Sequence, residues 1–221
     1  MKPEAFVELL GRERASAILR CDDQEVAAQA MDAAIRGGFR VVELTMTVPG
    51  VLDLVRDFSR REGIVAGAGT VLTEEQAEQV VEAGGRFLVS PVVDEAVIRK
   101  AGELGVAMMP GTHTPTEMLV AHRAGAQLVK LFPAPGIGPA FVRSVLGPLP
   151  FLKIVPTNGV DEANCTEWLA AGVWAMGFVN PLFAAEDLAA RRFDAIEERA
   201  RRILARVRGW ARPAASDPPS V

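Results

Sequence analysis

The chain alternates eight times between a short apolar run of strand length and a longer stretch with the spacing of an amphipathic helix. Strands that alternate with helices pair in parallel, and eight such units can close into a barrel. The predicted strands cover residues 16–19, 40–44, 64–66, 87–89, 106–109, 128–131, 152–155 and 173–176. The predicted helices cover residues 23–36, 51–60, 74–83, 95–103, 115–124, 139–146, 162–171 and 185–207.

Glycine follows several predicted helices, as at Gly37, Gly84 and Gly172, where it relieves the strain of a left-handed C-terminal turn. The sequence therefore predicts an α/β fold of the (β/α)8 TIM-barrel type, as a single domain over residues 1–210. A short helix over residues 3–10 is expected to cap the bottom of the barrel, and residues 211–221 to form a flexible tail. An open doubly wound sheet is the alternative, but no glycine-rich dinucleotide turn follows the first strand.

Composition narrows the range of functions. The 221 residues carry a net charge of −4, whereas a general binder of nucleic acids or anionic membranes needs a basic excess. Cys21 and Cys165 lie far apart, and form neither a disulfide framework nor a metal-binding pair, so we expect a cytoplasmic protein. No signal peptide, membrane span or metal-ligand spacing is visible, and neither a metal nor a cofactor is expected.

Lys130 is the first candidate for catalysis. In such barrels the active site lies at the C-terminal ends of the strands. The chain has four lysines, and among them only Lys130 lies inside an apolar strand, near that end. Burial disfavours the charged form of a lysine, and the neutral amine can attack a carbonyl. The alternative is a lysine that extends its charged end to the solvent at the barrel mouth.

Two further charged residues end predicted strands. Glu43 could serve as a general acid/base, because a carboxyl group beside an apolar pocket can be tuned for proton transfer; the alternative is an ion pair with Arg20 or Lys130. Arg20 could clamp a substrate carboxylate through two parallel hydrogen bonds, or form a salt bridge with Asp22 or Glu43. His113 lies on a loop at the barrel mouth, where it could contact the substrate; the alternative is that it has no role at the site.

Six motifs, in order and in register, resemble the 2-keto-3-deoxy-6-phosphogluconate / 4-hydroxy-2-oxoglutarate aldolase family over residues 16–190. They are Glu43-Leu44-Thr45, Gly67-Ala68-Gly69-Thr70-Val71, Ser90-Pro91, Pro110-Gly111-Thr112-His113-Thr114-Pro115-Thr116-Glu117, Lys130-Leu131-Phe132-Pro133 and Pro156-Thr157-Asn158-Gly159.

The resemblance implies a homotrimeric barrel enzyme, a class I aldolase and therefore a lyase, that cleaves 2-oxo acids to pyruvate and an aldehyde. It implies Lys130 as the Schiff-base lysine and Glu43 as the general acid/base. Thr45, Thr70, Pro91, Phe132 and Thr157 would line the pyruvate pocket. The phosphate end of the substrate would face Asn158, Gly159, Gly177, Val179 and Asn180.

The chain departs from the family pattern in two places. Thr47 stands where the family often has an arginine that binds the pyruvate carboxylate. The 2-keto-3-deoxy-6-phosphogalactonate branch, which this chain resembles, also lacks that arginine, so Arg20 is expected to replace it. Asn158-Gly159 and Val179-Asn180 replace the usual Gly-Gly and Gly-Ser, which leaves open whether the substrate carries a phosphate. The rival hypotheses are a phosphate-binding barrel isomerase or synthase without a Schiff base, and an inactive metabolite-binding barrel.

Overall fold

The computed structural model describes residues 1–211 as an α/β fold with a curled parallel sheet. Ten helices accompany nine strand segments in this part of the chain. The strands are β1 (Ala15–Leu19), β2 (Val41–Thr45), β3 (Val65–Gly69), β4 (Phe87–Val89), β5 (Ala107–Met109), β6 (Gly111–Thr112), β7 (Val129–Leu131), β8 (Ile154–Pro156) and β9 (Met176–Phe178).

Helices occupy most of the connections between strands, as the sequence pattern predicts, and further helices precede the first strand and follow the last. They are α1 (Pro3–Glu13), α2 (Gln24–Arg36), α3 (Val51–Ser59), α4 (Glu74–Glu82), α5 (Glu95–Glu103), α6 (Pro115–Arg123), α7 (Pro139–Leu146), α8 (Cys165–Ala170), α9 (Ala185–Ala189) and α10 (Phe193–Gly209). Within residues 1–211, no helix is both long enough and apolar enough to span a membrane.

The strands form two parallel sheets, six strands in the order β5-β4-β3-β2-β1-β9 and three in the order β6-β7-β8. Only Pro110 separates β5 from β6, and its carbonyl oxygen accepts a hydrogen bond from the Lys130 backbone N–H at 2.9 Å. At the other edge, Thr157 forms an isolated parallel bridge with Gly177. The predicted α/β class and parallel pairing are confirmed, while full closure into eight strands stays a prediction.

Helix α1 covers the N-terminal ends of the strands, where the sequence predicts a capping helix. Its side chains Phe6, Val7 and Leu10 are buried in a cluster with the first residues of several strands. The Phe6 ring stacks on the Phe87 ring of β4, with centroids 4.5 Å apart. The interior is therefore closed by hydrocarbon at this end, and only the opposite end is available for a polar site.

The final helix differs from the prediction of one continuous element over residues 185–207. The chain breaks between α9 and α10, where Arg191 takes a left-handed φ of 51°. The buried Asp187 accounts for the break, because its carboxylate accepts hydrogen bonds from Arg192 Nε at 2.7 Å and Arg199 at 2.6 Å. The predicted tail lies, apart from Ala211, outside the described residues.

Candidate active site

A cavity of about 460 Å³ opens at the C-terminal ends of the strands. All of its lining residues except Ile18 were singled out in the sequence, and they come from the strands or from the segments directly after them. The lining residues are Ile18, Arg20, Thr45, Thr70, Pro91, Lys130, Phe132, Thr157, Asn158, Val179 and Asn180.

Lys130 is fixed at the centre of its sheet. Strand β7 pairs with β6 on one side and β8 on the other, and the Lys130 carbonyl oxygen accepts a hydrogen bond from the Thr112 hydroxyl at 2.9 Å. The residue is 7% exposed, and its Nζ lies 4.9 Å from the centroid of the Phe132 ring. The amine is therefore nearly buried and faces the cavity, where it could attack the carbonyl group of a bound substrate.

Glu43 lies beneath the cavity surface and is completely buried in β2. Neither carboxyl oxygen has a hydrogen-bond partner within the described part of the chain. Burial raises the pKa of Glu43 from its ordinary value of 4.5, while the positive charges of Lys130 and Arg20 act in the opposite direction. A buried carboxyl group without a partner is costly, so its retention beside Lys130 is consistent with proton transfer.

Gly69 of β3 makes room for the Glu43 side chain. A Cβ atom on Gly69 would overlap Glu43 Oε1, so any other residue there would displace the carboxyl group. Gly67, the register partner of Glu43, instead lies against Phe87, whose carbonyl oxygen and ring leave no room for a side chain. The carboxyl group therefore leans over β3, in the space that Gly69 leaves.

Arg20 reaches the cavity from the end of β1. Its guanidinium donates a hydrogen bond to the Thr70 hydroxyl at 3.3 Å, and Thr70 itself has a left-handed φ of 61°. The alternative salt bridges with Asp22 or Glu43 are absent from residues 1–211. Within this part of the chain the guanidinium fork thus lies at the cavity with no carboxylate partner, and Thr70 is its side-chain partner.

Other predicted site residues lie at the margin of the cavity or outside it. Thr47 is exposed and does not line the cavity, but its hydroxyl lies 2.7 Å from that of Thr45, which does. Gly159 lies outside the lining, with a φ of 109°. His113 is also outside it, and its ring Nδ1 lies 3.0 Å from the carbonyl oxygen of Pro133.

Gly177 does not line the cavity, but its lack of a side chain leaves space for two residues that do. A Cβ atom there would lie 2.5 Å from Ile18 Cδ1 and 2.8 Å from Thr157 Oγ1. Both neighbours line the cavity, and the buried Thr157 hydroxyl has no partner among the described residues. The glycine allows Ile18 and Thr157 to approach β9.

Ile18 is the lining residue that the sequence analysis missed. A strand places alternate residues on one face, so Ile18 shares its face with Arg20, two positions further along. That alternation was the available signal, but an isoleucine in an apolar strand carries no chemical marker of a site.

Comparisons with known proteins identify the family of this chain. The family model described as KDPG and KHG aldolase matches residues 8–198. A probable 2-dehydro-3-deoxy-6-phosphogalactonate aldolase of Rhizobium meliloti is 38% identical over 170 residues, which cover 76% of this chain and 80% of the relative. A KHG/KDPG aldolase of Escherichia coli is 32% identical over 190 residues, which cover 81% and 85%.

Solved structures give the same result for the fold. A structure described as native KDPGal superposes with a TM-score of 0.79 at 29% identity, and the match covers 88% of this chain and 94% of the other. The extent of the family match and the identity with these relatives show that the chain belongs to the KDPG and KHG aldolase family.

Proposed function

We propose that this chain is a class I aldolase that cleaves a 2-oxo acid to pyruvate and an aldehyde through a Schiff base on Lys130. The observation that carries the proposal is the pairing of two side chains: a nearly buried lysine on the cavity wall, and a fully buried Glu43 whose pKa the charge of that lysine lowers against the effect of burial. The relatives named above support the substrate class of the proposal: 2-keto-3-deoxy-6-phospho sugar acids or 4-hydroxy-2-oxoglutarate.

The reaction begins when Lys130, as a neutral amine, adds to the C2 carbonyl, and the carbinolamine takes a proton from the Glu43 carboxyl group and loses water to give a protonated imine. Glu43, now a carboxylate, accepts the C4 hydroxyl proton while the C3–C4 bond breaks and its electrons move to the imine nitrogen, which releases the aldehyde and leaves an enamine. Glu43 then returns a proton to C3. Water hydrolyses the resulting protonated imine, which releases pyruvate, restores the lysine and returns the proton to Glu43.

Arg20 is proposed to bind the carboxylate of the 2-oxo acid in place of the arginine that Thr47 replaces. Its guanidinium lines the cavity and has only the neutral Thr70 hydroxyl as a side-chain partner in the described part of the chain. Thr45, Thr70, Pro91, Phe132 and Thr157 would surround the pyruvate half. Asn158, Gly159, Gly177, Val179 and Asn180 would face or shape the aldehyde end.

The proposed scaffold is a closed (β/α)8 barrel over residues 1–210. Strands β5 and β6 count as one strand interrupted at Pro110, which makes eight strands in all. The Lys130–Pro110 hydrogen bond and the Thr157–Gly177 bridge support closure at the two seams. A homotrimer, as the resemblance implies, and a cytoplasmic location, as the cysteine content suggests, complete the proposal. Sedimentation analysis of the purified protein would test the trimer.

Borohydride trapping tests the Schiff base. Incubation with pyruvate and borohydride should add a reduced pyruvyl group to Lys130, located by mass spectrometry of its peptide. Lys153→Ala is the matched control, because Lys153 lies at the opposite end of the interior, 5.3 Å from the Trp174 ring. Trapping that persists unchanged in Lys130→Ala would overturn the assignment. Pyruvate release from 2-oxo-3-deoxy acids, with and without phosphate, then identifies the substrate.

A further inference from the structure

His113 lies outside the cavity, and the proposed reaction gives it no role. It is exposed and directly follows β6. Its ring Nδ1 lies 3.0 Å from the carbonyl oxygen of Pro133, in the segment that follows β7. A carbonyl oxygen can only accept a hydrogen bond, so Nδ1 carries the hydrogen and donates it. In the neutral form of His113, the other ring nitrogen, Nε2, then carries no hydrogen.

The imidazole continues a pairing that the backbone cannot continue. Proline has no N–H, so Pro133 can pair only through its carbonyl oxygen, and His113 is the partner of that oxygen in the described part of the chain. One residue earlier, the Phe132 N–H donates to the Thr112 carbonyl oxygen at 3.0 Å. The Thr112 hydroxyl in turn donates to the Lys130 carbonyl oxygen at 2.9 Å. Thr112 and His113 together therefore hold the end of β7 and the two residues that follow it.

The backbone of His113 is itself fixed by the first turn of α6. Its N–H donates to Glu117 Oε2 at 2.8 Å, and the Thr114 N–H donates to the same oxygen at 2.7 Å. The Thr114 hydroxyl accepts a hydrogen bond from the Glu117 N–H at 3.2 Å, which completes a capping box. The imidazole therefore extends towards β7 from a backbone that α6 holds in place.

The segment that His113 holds carries an aromatic ring next to the proposed nucleophile. The Phe132 ring centroid lies 4.9 Å from Lys130 Nζ, and both side chains line the cavity. Phe132 is bonded to Pro133, so a displacement of one residue moves the other. We propose that His113 is a positioning residue: through Pro133 it holds the Phe132 ring beside the amine, in the arrangement from which the amine attacks the 2-oxo acid.

This inference rests on the proposed Schiff-base function, and the rate of imine formation tests the two separately. The enzyme is mixed with saturating pyruvate, borohydride is added after increasing times, and mass spectrometry measures the reduced pyruvyl group on Lys130. We expect His113→Leu to lower this rate by about three- to tenfold, the contribution of one neutral hydrogen bond. His122→Leu is the matched control, because the His122 ring packs on Phe151 and neither residue lines the cavity. Its rate should equal that of the wild type.

The variant His113→Asn separates the hydrogen bond from the bulk of the ring. The amide nitrogen of asparagine lies as many bonds from the backbone as Nδ1 of histidine does, and it can donate to the Pro133 carbonyl oxygen. Leucine has the same branched shape without a donor. We therefore expect His113→Asn to form the imine faster than His113→Leu does, at a rate close to that of the wild type. Thermal unfolding of both variants shows that each is folded.

The hydrogen position on the ring gives a second test, which depends on no variant at position 113. The chain has two histidines, and His122→Leu assigns their NMR signals. NMR of the ring nitrogens should show that neutral His113 carries its hydrogen on Nδ1. His122 has no ring hydrogen bond within residues 1–211, and should show the mixture of both forms that free imidazole has.

The outcomes are distinct. An unchanged rate in folded His113→Leu overturns the inference and leaves the proposed function standing. A His113→Asn variant as slow as His113→Leu does the same, and so does a neutral His113 with its hydrogen on Nε2. An equal fall in His122→Leu also overturns the inference, because the effect would then not be specific to His113. No pyruvyl group on Lys130 of the wild type overturns both the inference and the proposed function.

Discussion

The two ends of the cavity are built differently. At the inner end, Glu43 and Lys130 lie within β2 and β7, at 0% and 7% exposure, with hydrogen-bonded strands on both sides. At the outer end, Asn158 and Asn180 are exposed on the segments that follow β8 and β9, and Asn158 has a left-handed φ of 62°.

In the proposed mechanism, this difference separates the residues that form the Schiff base and transfer the proton from the residues that select the aldehyde. The sheet holds the inner residues, so their placement can change only with the fold. The outer residues belong to loops, which tolerate substitution far better. Of the two departures from the family pattern, one lies at the outer end, at Asn158 and Val179-Asn180, and the other is Thr47, beside Thr45 at the end of β2. The residues proposed for the Schiff base and the proton transfer, Lys130 and Glu43, keep the family pattern.

The largest expected effect tests whether the inner end performs the proton transfer. In deuterium oxide, the enamine route should replace the C3 hydrogens of pyruvate by deuterium, a C3 exchange that NMR can follow. Glu43→Gln should lower the rate of this C3 exchange by about 10²- to 10⁴-fold, the usual contribution of a general acid/base. Glu82→Gln, which changes an exposed residue at the end of α4, should leave the rate unchanged. A Glu43→Gln variant that exchanges pyruvate at the wild-type rate would remove Glu43 from the mechanism.

Substitution of Arg20, which is proposed to bind the carboxylate of the 2-oxo acid, should have the next largest effect. Arg20→Gln should raise the KM for pyruvate in the exchange assay by about ten- to hundredfold, which corresponds to the loss of a hydrogen-bonded charge. Arg20→Lys should give an intermediate value, because lysine keeps the charge without the two-pronged geometry. Arg60→Gln on the surface is the control, and an unchanged KM in Arg20→Gln would refute the clamp.

At the outer end, the double variant Asn158→Gly/Asn180→Ser introduces the residues more usual in the family. We expect it to increase the preference for a phosphorylated over an unphosphorylated 2-oxo-3-deoxy acid by about two- to tenfold, the contribution of one or two neutral hydrogen bonds. C3 exchange of pyruvate should stay within about twofold, since backbone and side chains at the inner end are untouched. A large drop in pyruvate exchange would show that the two ends are not separable.

The smallest effect concerns stability. Because burial raises the pKa of Glu43 above 4.5, the unfolded chain loses this proton at lower pH than the native protein does. The free energy of unfolding of the wild type should therefore fall relative to that of Glu43→Gln as pH rises from about 4.5 to the pKa of Glu43 in the native protein. Above that pKa, the two free energies should change with pH in parallel. Denaturant titrations of both proteins across this range measure the difference, and parallel curves throughout would contradict the raised pKa.

Much of the fold follows from local sequence patterns. The predicted bounds of α5, α7 and β4 agree with the structure, because helical spacing, capping residues such as Asp94, and glycine turns all act locally. The break at Arg191 was missed, because it depends on the distant Arg199 and on a left-handed residue that is not glycine. The last strand begins at Met176, three residues later than predicted, since an apolar run alone does not fix register.

The sequence predicts a site residue where its side chain is chemically unusual for its surroundings. Lys130 and Glu43 stand out because charged side chains are rare in apolar strands. Ile18 is not unusual in this way, and its place opposite Glu43 on the neighbouring strand depends on strand register, which the sequence does not reveal. Thr47 illustrates the opposite limit, since a motif position next to the site still places its side chain outside the cavity.

The space beside Gly69 has a consequence for inheritance. The carboxyl group of Glu43 occupies the volume that a side chain at position 69 would need, although the two residues are 26 positions apart in the chain. A lineage that acquires alanine at position 69 would displace its acid without mutating it. The two positions are therefore expected to vary together, so that a residue with no functional group constrains the evolution of this enzyme as much as the residue that we propose for proton transfer.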